Sequence, residues 1–231
     1  MILRKAEGNP FFVEELTRTV LERGGDELPD TIHALLAARI DRLPADTKAA
    51  LQTAAVVGRQ FPSRLLEAVW DGDDLTLHLD EMRRRELVYE RVAPDGRVYV
   101  FKHALTQDVA YESLLRERRR QVHGRVVDAI ENLHCTRLVE HVEHLAYHSL
   151  RGEMWDKAVT YARQAGLKAA ARYANREAVA MFEQALAAFE HLPDDHRQPD
   201  LAIDLRFDLK NALFPLGECG EPSGSWTTPS G

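Results

Sequence analysis

The sequence predicts a mainly α-helical chain with one β-hairpin set among its helices, followed by an array of paired helices. Three observations predict it. Apolar residues recur at helical spacing through most of the chain, as in Ile32, Leu35, Leu36, Ile40 and Leu43. The stretch from Leu87 to Lys102 alternates at period two instead. It is broken by Ala93-Pro94-Asp95-Gly96, a turn in which proline fixes φ and glycine tolerates φ > 0. Beyond Arg116, small residues (Ala146, Ala158, Ala165, Ala178, Ala185) stand where successive amphipathic segments would touch, which lets helices pack closely.

Composition narrows the function classes. A chain of 231 residues has room for two modest domains. Apolar content of 45% with 29% charged residues suits a globular, helix-rich protein. A net charge of −7 argues against general nucleic-acid binding by the whole chain. Cys135 and Cys219 lie far apart and give no disulfide or zinc framework, which fits a reducing cytoplasm. No apolar run approaches membrane-spanning length, and MILRKAEGNPFF lacks the apolar region of a signal peptide. The expected location is therefore cytoplasmic, with no membrane partner.

Taken in order, Gly8-Asn9-Pro10 starts a helix, with Asn9 as N-cap and Pro10 at the first helical position. Its stripe is Phe11, Phe12, Leu16 and Val20, and Gly24-Gly25 ends it. Leu28-Pro29-Asp30 opens a second helix that runs to Pro44. A third spans about Asp46 to Val57 and stops at Gly58. Phe61-Pro62-Ser63 starts a fourth, carrying Leu65, Leu66, Val69 and Trp70. A fifth covers about Asp74 to Arg85. The hairpin follows, and helices flanking a two-stranded wing make a winged helix. A long helix from about Glu117 to Leu133 leaves it. KAVTYARQA and EAVAMFEQA then share a pattern that looks like degenerate tetratricopeptide repeats. The tail from Glu218 to Gly231 is rich in Gly, Ser, Pro and Thr and should be disordered. The predicted division is residues 1–43, 44–115, 116–217 and 218–231.

The chemically informative stretch is Arg97 to Leu115, where strand becomes helix at Lys102-His103. A helix start leaves backbone N–H groups without partners and suits an anion. A histidine placed there can donate a hydrogen bond to a phosphate oxygen.

KHALTQDVAYESLL resembles the stretch carrying the Met-His-Asp motif of STAND-class signalling ATPases. In that family the motif closes a winged-helix domain and its histidine contacts the β-phosphate of ADP. Lys102 stands for the methionine, His103 for the histidine and Ala104 for the aspartate; Leu105, Asp108 and Ala110 fit the usual continuation. EGNPFFVEEL is similar to the segment after the nucleotide-binding core of STAND and related AAA-type ATPases, where a Gly-x-Pro turn packs near the adenine in the helical lid. The resemblance covers about Ala6 to Gly217. It implies that residues 1–43 are lid helices and that Gly8, Pro10 and His103 form the nucleotide-binding side of this chain. It further implies ATP or ADP with Mg in the parent protein, whose nucleotide-binding core lies upstream. Such regulators often carry an adenylate-cyclase or DNA-binding domain as well. A protein partner or small effector on the repeats would be the input.

Other constellations carry less. No GxxxxGK followed by Ser or Thr occurs, so the chain itself should not hydrolyse ATP and needs no cofactor of its own. His141, His144 and His148 share a helix face, with His134 and Cys135 upstream. Without HExxH they read as a solvent-side cluster rather than a metal site. The helix before the wing ends in Arg83, Arg84 and Arg85 but begins with Asp73 and Asp74, a layout that disfavours DNA. The alternative readings are a winged-helix transcription regulator or a repeat-based protein adaptor. No residue is predicted to be catalytic.

Overall fold

Thr31 sets the start of the first described helix. Its side chain accepts from the Ala34 amide at 3.1 Å and opens α1, Ile32–Asp41. The computed structural model describes residues 31–94 and 96–217, together with Val13 and Thr17. The predicted lid helix at Gly8–Pro10 and the tail lie outside the described residues. Those residues are mainly helical, with one small antiparallel sheet. They form two compact units that divide between Ala129 and Ile130.

In the first unit α1 is followed by α2, Ala45–Val57, which Gly58 terminates at φ 145°. Only glycine takes that backbone readily. The chain then runs through β1 (Gln60–Pro62), α3 (Ser63–Val69), α4 (Leu75–Arg84), β2 (Val88–Ala93), β3 (Gly96–Phe101) and α5 (Ala104–Glu112). Asp74 caps α4 by accepting from the Thr76 amide at 2.9 Å. The last helix, α6 (Arg116–Leu133), carries the division within it.

The sheet corrects one expectation. It has three strands in the order β1-β3-β2, not a lone hairpin. Residues read as the start of a helix, Phe61 and Pro62, instead pair antiparallel with Tyr99 and Val98. Three residues are too few to show a period, and a proline usually signals a helix start or a turn. Here Pro62 closes the strand at an edge, where its missing N–H costs nothing. The pairing puts β3 in the centre. Phe61 stacks on Tyr99 with ring centroids 5.8 Å apart and meets Phe101 edge-on at 5.7 Å. Around these rings pack Leu36, Ile40, Leu51, Leu66, Met82 and Leu87, all buried.

The second unit holds a 3-10 turn (Leu138–His141), α7 (Val142–Arg151), α8 (Trp155–Ala171), α9 (Asn175–Glu190) and α10 (Pro199–Leu213). Each of these four helices packs on the next. Alanines line the contacts: Ala146, Ala158, Ala162, Ala185 and Ala188 with Leu205 in one cluster, Ala169, Ala178 and Ala212 with Phe182 in another. Leucine at these positions would hold the axes further apart. The two short turns share one construction. Met154 N–H bonds Ser149 C=O at 2.9 Å and Ala174 N–H bonds Ala169 C=O at 3.0 Å. Each closes a helix end with a left-handed residue, Glu153 at φ 54° and Tyr173 at φ 61°.

Gly166 sits mid-helix in α8, where glycine costs about 1 kcal/mol against alanine. The reason is Phe182: a Cβ at 166 would stand 2.5 Å from its ring. Gly166→Ala should therefore destabilise the unit by about 1–3 kcal/mol despite the better propensity. Pairing it with Phe182→Leu should recover part of that loss in urea unfolding, whereas an additive double variant would contradict the packing account.

Candidate functional site

Backbone bonds from two sides hold the corner at the end of β3. Phe101 N–H reaches Arg59 C=O at 3.0 Å, and Lys102 N–H reaches Leu87 C=O at 3.0 Å. His103 follows in extended backbone (φ −131°, ψ 138°) and occupies the N-cap position of α5. The His103 side chain itself does not cap this helix start. The His103 C=O accepts from the buried Thr106 amide at 3.1 Å. Gln107 ties the first turn of α5 to α2 by donating to Ala55 C=O at 3.1 Å. His103 is half-buried as a residue, with its Nε2 enclosed, and Lys102 donates to Glu86 at 3.1 Å. The geometry is thus a rigid strand-to-helix corner with an imidazole at the positive end of a helix dipole, and an imidazole N–H is a suitable donor to an anionic oxygen. Alanine at 104 removes the carboxylate that the resemblance would place next to it. Gly8 and Pro10 lie outside the described residues.

The arginines before the wing are all engaged. Arg83 pairs with Asp80 and Glu90, each at 3.2 Å; Arg84 and Arg85 both reach Glu81 at 2.5 Å. Hydrogen bonding from Arg85 leads the effects that hold the Glu81 carboxyl below the usual range. Arg39 also donates to the Arg85 carbonyl. A shallow recess of about 410 Å³ borders Asp80, Arg83 and Arg84. Binding phosphate there would require breaking these pairs.

The histidine cluster differs from its prediction. His148 is buried at 3% exposure and packs edge-on against the Tyr147 ring at 5.0 Å. It faces the core because α7 turns its Val142, Leu145, Ala146 and Ser149 side inward. Only His144 of the three is exposed, while His141 stacks on His134 with centroids 4.0 Å apart. Among the described residues no group of His, Cys, Asp and Glu is arranged to hold a metal ion.

Two features were missed in the sequence because their partners are distant along it. Arg118 and Arg125 converge on Asp71 at 3.1 and 2.8 Å, joining α6 to the loop before α4. Partial burial alone would raise the Asp71 pKa, but hydrogen bonds and charge from the two arginines outweigh it and hold it low. Tyr111 of α5 hydrogen-bonds the buried His123 of α6 at 3.1 Å, with Arg119 over its ring at 5.0 Å. In the second unit, a groove of about 430 Å³ is lined by Leu167, Tyr173, Phe182 and Pro215 among others. Ile203, Phe207 and Phe214 stand exposed nearby in sequence on α10 and the turn after it.

Known proteins add little. No family model matches the chain. An uncharacterized protein of Rhizobium meliloti (strain 1021) is 26% identical over 230 residues, which is 92% of this chain and 22% of the relative. The chain thus spans about a fifth of the length of the relative it matches. Among the described residues no helix is long and apolar enough to cross a membrane.

Asp71→Asn should loosen α6 by about 1 kcal/mol, the upper end for an exposed pair, because two Arg125 donors are already buried without partners. Since the Asp71 pKa is lowered in the fold, its contribution is present above the ordinary carboxylate value and is lost as pH falls through the folded value. Urea unfolding of wild type and variant should accordingly differ at neutral pH and converge in acid; an equal difference at both would contradict the assignment.

Proposed function

We propose that this chain is the regulatory part of a STAND-type signal-transduction ATPase, a switch set by ATP or ADP. The observation that carries this reading is the corner between β3 and α5. A half-buried histidine at a helix start that its own side chain does not cap is the local chemistry that the family's phosphate-contacting histidine requires. The element order gives further support: helices α2, α3 and α4 with a small sheet whose last two strands form a hairpin fit a winged helix. Helices α7 to α10, with alanine-lined contacts and short turns, fit degenerate tetratricopeptide-like repeats. A relative with most of its length outside the match has room for an ATPase core and an output domain.

In this reading His103 donates a hydrogen bond to the β-phosphate, and the Gly8–Pro10 turn walls the adenine. Together they keep lid and wing closed on the upstream core, which would supply the Mg site and the hydrolytic chemistry. A protein partner or small effector on the repeats favours the open form, which takes a difference in affinity for the two states of a few kcal/mol. The ion pairs of Arg83, Arg84 and Arg85 weigh against DNA as the ligand of the wing.

His103→Ala, made in the polypeptide that joins this chain to its nucleotide-binding core, should weaken ADP by about 10–100-fold. That is the range for one hydrogen bond to a charged group, ~1.5–3 kcal/mol. AMP, which has no β-phosphate, should be unaffected. Unchanged ADP affinity by calorimetry would overturn the role of His103.

A further inference from the structure

The connector between α6 and α7 is closed by two histidines from its opposite ends. His134 follows the last turn of α6, its amide bonded to Ile130 C=O at 3.0 Å. His141 ends the 3-10 turn and is the N-cap residue of α7. Their rings stack with centroids 4.0 Å apart and planes 28° apart. Between them the backbone is held by two bonds, Arg137 N–H to His134 C=O at 2.8 Å and Glu140 N–H to Arg137 C=O at 3.0 Å.

We propose that the stacked His134–His141 pair is a proton-sensitive staple: neutral or singly protonated it holds the connector shut, and doubly protonated it releases the start of α7. Two imidazolium rings 4 Å apart repel, and little around them offsets that repulsion. The charges that act on His141 are those of His134, on which it stacks, and of His144, Glu140 and Arg137. Glu140, the acid among them, is half committed to Arg137 at 3.8 Å, and both of those side chains are 60% exposed. His144 and Arg137 add positive charge on acidification.

The direction of titration agrees with this arrangement. Burial, then the charges of His134 and His144, lower the His141 pKa, against a weaker upward pull from Glu140. A base with a lowered pKa stabilises the fold fully above the ordinary histidine value of about 6.5. The contribution is lost as pH falls from there through the folded value. The staple thus opens on the acid side of neutrality. It stands apart from any nucleotide reading, since it needs only residues of the second unit.

Histidine NMR and hydrogen exchange of the full chain test it. In the wild type, amide protection over residues 134–144 should fall about tenfold between pH ~7.5 and ~5. His134→Phe keeps a stacking ring without a charge. It should abolish that fall and move the His141 midpoint upward; His134→Gln should move the midpoint the same way. A His141 midpoint identical in wild type and both variants, or protection that falls equally in His134→Phe, would overturn the proposal.

Discussion

The first unit depends on the burial of one face of β3. Tyr99 and Phe101 lie on the central strand, and Phe61 reaches them across the sheet from β1. Fully burying such rings contributes roughly 1.5–3 kcal/mol each, more than any surface ion pair here can supply. The registers then follow. Val88 must face Phe101, and the turn at Gly96 must close opposite Ala93. A slip by one residue would turn the aromatic face to water. Because Phe101 is fixed, so are Lys102 and His103, and α5 begins where the strand can go no further.

The second unit rests on a different constraint, the closeness of helix axes. Its interior is mostly alanine, so area per residue is small and stability depends on fit. Gly166 under the Phe182 ring shows the limit: the smallest side chain is used where an aromatic ring needs the space. Salt bridges such as Lys168–Glu143 and Arg163–Asp208 decorate the edges of these contacts and fix orientation more than they add energy.

Helix positions were legible because amphipathic stripes and caps are local: Asp74 and Gly58 act within a few residues of where they stand. The hairpin was legible from Pro94 and Gly96 for the same reason. β1 was not, since its pairing with β3 lies nearly forty residues away in sequence and its own length shows no period. The ends of α4, α7 and α8 also escaped detail. They close by the bonding that glycine usually serves, but with Glu86, Glu153 and Tyr173 in the left-handed position. For the candidate site, His103 at a strand-to-helix junction was readable. The Asp71 cluster and the burial of His148 were not, because each depends on which helix packs alongside.

The central claim is that the corner after β3 presents His103 to a phosphate. The direct measurement is the His103 side-chain resonance in a polypeptide that carries this chain with the nucleotide-binding core proposed for it. The account predicts a shift of that resonance on adding ADP and none on adding AMP. Equal shifts with both nucleotides, or a resonance indifferent to ADP while the core is occupied, would contradict it.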